Sequence, residues 1–259
     1  MLKQKPWTDL STGENYEWRI ATMSIRIVSH CWAEELPQFA AFLRIQMSSL
    51  ILHPPKVPVK FHLFYSPLDD ATWDVLSWFT ANVESCCDAT PMVNSSLGRR
   101  CIGRNYATLR STEELIWHTD VDHVFHDGCL DALWELWQGM KSDKITMIYP
   151  RHIMIHKNHE MGDVAAESCG EGLVDINTND FETKRYNRAI GGVQIVPGEF
   201  AREYGYLKEQ PKWQKETDKP FGDFKDDVAY RKFCESKGKI ERIELPGLYR
   251  LRHTRTTYQ

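Results

Sequence analysis

Two aspartates one residue apart, Asp120 and Asp122, stand where the apolar run Leu115-Ile116-Trp117-His118-Thr119 gives out. An extended chain alternates its side chains, so residues at i and i+2 present their carboxylates to one side. In an open α/β sheet ligands bind outside the carboxyl ends of the strands. A carboxylate pair there suits a hard divalent cation and, through it, a diphosphate. Acidic residues also mark turns after strands, and only the rest of the chain separates the two readings. A second pair, Asp226-Asp227, opens a helical pattern, where the helix dipole favours negative charge whatever the function. A carboxylate in that place can also take a proton from a hydroxyl. Gly191-Gly192 lets backbone approach a ligand closely, or marks a bulge in a strand. Arg99, Arg100 and Arg104 precede the first aspartate pair and carry the planar fork that matches phosphate, although solvated surface arginines look the same in sequence.

The elements that must position these residues alternate. Strand patterns fall at 24–29, 59–65, 115–119 and 145–149, the last continued by 152–156, and at 189–196. Helical patterns fall at 34–52, at 71–82 with Asp69 and Asp70 as caps, at 105–114, 129–140, 198–207 and 226–237. Residues 85–103 read as loop with one short strand, and 157–188 as a long polar loop of the kind that serves as a lid or binding loop. Trp134 and Trp137, three apart on a helix, read as core, whereas Trp213 in a polar stretch is a candidate for stacking on a sugar. This order predicts an α/β fold, a mostly parallel central sheet with helices on both faces. The expected organisation is an N-terminal extension over 1–23 and a single domain over 24–259.

Composition narrows the class. The chain has 259 residues, 42% of them hydrophobic, enough for a sizeable core. Net charge is −4 with no basic stripe, which argues against a nucleic-acid partner. No signal-peptide pattern opens the chain and no run of about 18 apolar residues occurs, so no integral membrane association and a cytoplasmic location are expected. Seven scattered cysteines, only Cys86-Cys87 adjacent and none spaced as C-x-x-C, read as reduced thiols rather than a disulfide or zinc framework.

In their order, these motifs resemble the GT-A class of nucleotide-sugar-dependent glycosyltransferases. Gly103-Arg104-Asn105, with Asp120 fifteen positions beyond Asn105, is similar to the Ala-Arg-Asn segment before the DxD motif of the large inverting family. Asp120-Val121-Asp122 matches DxD itself, and Ala189-Ile190-Gly191-Gly192 looks like the glycine segment beside the donor sugar. Lys225-Asp226-Asp227 resembles the x-E-D motif, with Asp226 where the family has glutamate, and His253 sits where many members keep a metal-binding histidine. The first strand leads into His30-Cys31-Trp32 rather than the family's apolar-Tyr-Asn run. The resemblance spans about 24–253 and implies a GT-A, Rossmann-like domain transferring a hexose-like sugar from a nucleoside-diphosphate sugar, UDP-sugar favoured, to a hydroxyl acceptor. It implies Mn²⁺ or Mg²⁺ held by Asp122, Asp120 and His253. Donor contacts would come from Asp120, Arg104, Asn105, Gly191, Gly192 and Trp32, and the base would be Asp227 or, second, Asp226.

Three other readings compete. His118, Asp120, Asp122, His123, His126 and Asp127 crowd into ten positions, as a metal phosphohydrolase would need, although hydrolases of the HD type carry such residues on helices. A nucleotidyltransferase shares the fold type, but no glycine-rich basic loop follows the first strand. A GT-A-like domain could also bind nucleotide or glycan without turnover. On the transferase reading, Asp122→Ala loses metal-dependent nucleotide binding and leaves the fold intact.

Overall fold

The computed structural model describes residues 22–83, 87–140, 144–157, 171–217 and 225–252. Strand β1 (Thr22–Cys31) is rich in β-branched residues, and from Ser24 to Cys31 its side chains are buried on both faces. Helix α1 (Gln38–Leu52) follows it, then β2 (Val59–Tyr65). Asp69 caps α2 (Asp70–Asn82), its carboxylate accepting from the Thr72 amide at 3.1 Å. Next come β3 (Asp88–Pro91), the single turn α3 (Asn94–Leu97) and α4 (Arg100–Arg110). Strands β4 (Glu113–His118) and β5 (His123–Phe125), helix α5 (Cys129–Met140) and strands β6 (Ile145–Pro150) and β7 (His152–His156) continue the chain. The remaining elements are β8 (Phe181–Arg185), β9 (Gln194–Pro197), α6 (Gly198–Tyr204), α7 (Asp226–Lys237), β10 (Lys239–Ile243) and β11 (Leu248–Arg250).

Seven strands form the main sheet in the order β10-β6-β9-β4-β1-β2-β3. All neighbours are parallel except β9, which runs antiparallel to both β4 and β6. Alternation along β1 divides the core: Ile25 and Ile27 face α1, α2 and α5, while Val28 faces α4, α6 and α7. The α/β class with helices on both faces of a mostly parallel sheet is therefore what the chain forms.

The structure departs from the sequence expectation at four places. The helix expected at 105–114 starts earlier, at Arg100, and ends at Arg110, leaving Glu113 to open β4. Its buried face holds Cys101, Gly103, Arg104, Ala107 and Thr108, and a buried arginine defeats a search for apolar periodicity. Residues 152–156 do not prolong β6: the chain leaves the main sheet after Pro150, and β7 joins a second, four-stranded sheet ordered β5-β11-β7-β8. That sheet was not expected, and β8 lies inside the stretch read as loop. Finally, Gly191 and Gly192 occupy a turn before β9 rather than the strand itself.

Five described cysteines, Cys31, Cys87, Cys101, Cys129 and Cys234, are free. No helix among the described residues is long and apolar enough to cross a membrane. Trp137 is buried, its indole donating to Glu114 at 2.8 Å, and Trp134 packs half-buried against the same core.

Candidate functional site

Asp120 and Asp122 lie in the turn that carries the chain from β4 in the main sheet to β5 in the second. The two stand in a turn and not in extended chain, and their partners differ: Asp120 pairs with α4 and Asp122 with β11. Both ends of the turn are tied down from α1, where the buried amide of Gln46 donates to Asp120 O at 3.0 Å and His123 O at 2.8 Å. From the other side the Leu251 amide donates to Asp122 O at 2.8 Å.

Asp120 faces α4. Arg100 and Arg104, one helical turn apart and so on the same face, donate to its Oδ1 at 2.6 and 3.1 Å. Burial alone would raise the Asp120 pKa, but the two guanidinium groups outweigh it and hold it low. Its Oδ2 makes no hydrogen bond to any described residue and looks toward Gly192, where an added Cβ would lie 3.2 Å away. Arg104 is fully buried and ties the site together. It also donates to Gly191 O at 3.2 Å and to the Tyr206 hydroxyl at 2.9 Å. Tyr206 in turn donates to Gln194 Oε1 at 2.9 Å, and Gln194 Nε2 donates to Asp227 O at 2.8 Å.

Asp122 faces the second sheet and is almost wholly buried. Its Oδ2 accepts from Arg250 Nε on β11 at 2.8 Å, and its Oδ1 lies 2.8 Å from His123 Nδ1 in an ion-pair contact. Burial opposes its charge, yet Arg250 and His123 overcome this and keep its carboxyl well below the usual carboxylate range. Removing this carboxylate would strand Arg250, so the expectation that Asp122→Ala leaves the fold untouched does not agree with this packing.

The α7 start contributes the other carboxylates. Asp227 is half-buried, with its Oδ2 3.4 Å and its Cβ 3.3 Å from where a Gly191 Cβ would stand. Asp226 is buried with neither carboxylate oxygen hydrogen-bonded, and Arg100 Nη2 lies 3.8 Å from Oδ1. Asp120, Gly191, Gly192, Asp226, Asp227, Arg100 and Arg104 thus meet at the carboxyl end of β4, beside the turn into β9.

Other expected site residues stand elsewhere. The Asn105 carboxamide accepts the Tyr206 amide at 3.0 Å and so helps position the tyrosine. Trp32 lies just beyond β1, buried among Val28, Phe64 and Leu97. His253 falls outside the described residues. Trp213 is half-buried, with Lys212 and Arg99 over its ring at 5.0 and 5.8 Å. The six-residue histidine–aspartate run does not converge: His118 is buried against Tyr206 and Tyr230, while His126 and Asp127 meet His53. Reasoning from sequence missed Gln46, Gln194, Tyr206 and Arg250, and noted His123 only within the histidine–aspartate run. Each of the four acts through partners well separated in the chain, and no local pattern marks it.

No protein-family model matches the chain, and no curated protein matches it. Solved structures do. S. aureus TarS is 10% identical with a TM-score of 0.58, over 88% of this chain and 37% of that one. TarS 1-349 in complex with UDP is 11% identical, TM-score 0.55, over 88% and 60%. The mannosyltransferase PcManGT from Pyrobaculum calidifontis, in complex with GDP-Man and Mn²⁺, is 12% identical, TM-score 0.55, over 98% and 62%. These neighbours are GT-A-type glycosyltransferases, and the fold is the one they share. The chain spans about two fifths to three fifths of the length of the structures it matches.

Proposed function

We propose that the protein is a metal-dependent glycosyltransferase that moves a sugar from a nucleoside-diphosphate sugar, UDP-sugar in preference to GDP-sugar, to a hydroxyl acceptor. The observation that carries this reading is the meeting of Asp120, the Gly191-Gly192 turn and Asp227 at the carboxyl edge of the sheet, in a fold shared with glycosyltransferases. That edge is where an open α/β sheet binds its ligands.

A hard divalent ion suits the donor set. Asp120 Oδ2 is unbonded, Asp122 is held ionised, and both offer oxygen to Mn²⁺ or Mg²⁺, with His253 as a proposed third ligand. When bound, the ion neutralises charge building on the leaving diphosphate. Arg100 and Arg104 keep Asp120 charged and fixed, and Arg100, the less buried of the two, is the one placed to meet phosphate oxygens. The Gly191-Gly192 turn, whose backbone carries no side chain, is the proposed neighbour of the donor sugar, and Trp32, just after β1, is proposed for the nucleoside. Asp227, half-exposed beside Gly191, takes the proton of the acceptor hydroxyl as that oxygen attacks the anomeric carbon. Asp226, buried behind it, is the weaker candidate for this role. A soluble or small acceptor fits a chain whose described helices include none able to cross a membrane. The whole of 24–259 is proposed to act as one transferase domain, with 1–23 as an extension.

Calorimetric titration of UDP and GDP, with Mn²⁺ and then with EDTA, tests the reading, followed by turnover of a nucleotide-sugar panel. Metal-dependent binding of one nucleotide and hydrolysis or transfer of its sugar is the expected result. Binding without turnover would mark a non-catalytic domain of the same fold. No binding of either nucleotide under any condition would end the transferase reading.

A further inference from the structure

A second cluster of metal-ligating side chains lies on the other side of β5. His53 ends α1, His126 and Asp127 form the turn from β5 into α5, and Asp175 lies in the segment leading to β8. One ligand atom from each of His53, His126 and Asp175 lies within 4.8 Å of the others. His53 Nε2 is 3.1 and 3.2 Å from the two Asp175 oxygens, and the His53 and His126 rings, tilted 35° to each other, have centroids 3.7 Å apart. We propose that His53, His126 and Asp175 form a binding site for a borderline transition-metal ion of the Zn²⁺ class, distinct from the carboxylate site at Asp120 and Asp122.

Three features point to a metal. Two bonds of ~2.0–2.1 Å at a tetrahedral angle place their ligand atoms ~3.4 Å apart, close to the observed His53–Asp175 separation. His53 Nδ1 lies 2.8 Å from Asp127 Oδ1, the outer carboxylate that fixes the tautomer of a metal-binding imidazole and leaves Nε2 as the ligand atom. The segments are also held in place without any ion. Val174 N donates to Ser48 Oγ at 3.0 Å, Arg44 donates to Gly172 O at 3.0 Å, and His126 N donates to Gly247 O at 2.8 Å. His126 is further backed by the edge of Tyr249, with ring centroids at 5.6 Å.

Two imidazoles and one carboxylate select Zn²⁺, Ni²⁺ or Cu²⁺ over Mg²⁺ and Mn²⁺. Three protein ligands leave a fourth position for water or an added group, the pattern of an open zinc site. Bound metal would join the end of α1, the β5–α5 turn and residues 172–176. The assignment stands on its own geometry and does not depend on glycosyl transfer.

The test uses the tag-free full chain, metal-stripped and held in excess Mg²⁺ to occupy oxygen sites. Calorimetric titration with Zn²⁺ should show one ion bound per chain. Co²⁺ should give the intense visible d–d bands of a tetrahedral site without a thiolate charge-transfer band. His126→Ala and His53→Ala should abolish both signals, and Asp127→Asn should weaken Zn²⁺ roughly 10–100-fold, as removal of an outer-sphere carboxylate does. Zn²⁺ should raise the Tm of the wild-type chain and leave that of His126→Ala unchanged. Failure of the wild-type chain to bind Zn²⁺ or Co²⁺ under these conditions, or an unchanged affinity in the His53→Ala/His126→Ala double variant, would overturn the assignment. The wild-type cobalt spectrum decides the matter even if a variant does not fold.

Discussion

Gly191 and Gly192 are neighbours in one turn, yet a single methyl group should act very differently at each. A Cβ on Gly192 would stand 2.7 Å from His123 Nδ1 and closer still to Cε1, with Asp120 Oδ2 at 3.2 Å. His123 is fully buried and its ring lies against Asp122, so it has no open direction in which to yield. Overpacking of this kind costs about 1–3 kcal/mol, partly offset by the ~0.4–1 kcal/mol that alanine gains from a less free unfolded chain. The net loss for Gly192→Ala is on the order of 1–2 kcal/mol, or roughly 2–8 °C of Tm for a chain of this size. At Gly191 the nearest atoms are Asp227 Cβ at 3.3 Å and Oδ2 at 3.4 Å, tight but not clashing. Gly191→Ala should therefore leave stability within about 0.5 kcal/mol. On the transferase reading its effect falls on the base. A displacement of a few tenths of an ångström at Asp227 should lower kcat roughly threefold to tenfold with KM little changed. Urea unfolding followed by tryptophan fluorescence, beside steady-state transfer assays, measures both quantities. Equal destabilisation by the two substitutions, or the larger loss at Gly191, would refute the placement of His123 against Gly192.

Asp122→Ala should cost on the order of 2–4 kcal/mol, because it leaves Arg250 facing a buried, unpaired position; Asp122→Ala combined with Arg250→Met should recover part of that loss, and an unaltered unfolding midpoint in the single variant would remove the ion pair from the account. With folding verified, Asp122→Asn is expected to lose Mn²⁺-dependent nucleotide binding, and unchanged calorimetric affinity would exclude the metal role. Asp227→Asn should keep donor binding and lose transfer; normal turnover would exclude Asp227 as the base. Acid should destabilise the protein well above the carboxylate range. Burial, followed by Arg26, depresses His62 to about 4, and burial with Arg104 nearby holds His30 and His118 well below the usual histidine range. A folded pKa below the unfolded value of about 6.5 means that the unfolded chain binds more protons, so this stability is complete above pH 6.5 and is lost as pH falls toward 4. His62 alone accounts for at most about 3 kcal/mol, and His62→Gln should flatten that part of the curve. A urea midpoint that stays constant from pH 7 to pH 5 would contradict the burial of these three histidines as neutral groups.

The elements that the sequence by itself determined are those whose signals are local. Periodicity and flanking punctuation delimit β2, α5 and α7 to the residue, and the Asp69 cap is written in the Asp69-Asp70 pair where α2 begins. The aspartate pair after an apolar run marks the carboxyl end of β4, because the end of a strand is itself a local event. What tertiary structure decided are pairings between distant segments. Arg104 reads as a phosphate-facing arginine until α4 packs beneath β1 and Gly103 lets His30 and Phe64 approach, at which point the guanidinium is buried among Asp120, Gly191 and Tyr206. Arg250 joins Asp122 across 128 positions, and Gln46 joins the same turn from α1. The second sheet escaped notice because its strands come from four separate places, and one of them, β7, lies so close after β6 that it reads as a continuation. Strand and helix patterns arise from each residue's neighbours in the chain. The charge balance around Asp120 and Asp122 arises from burial, which strengthens every nearby charge and is settled only when the chain closes on itself.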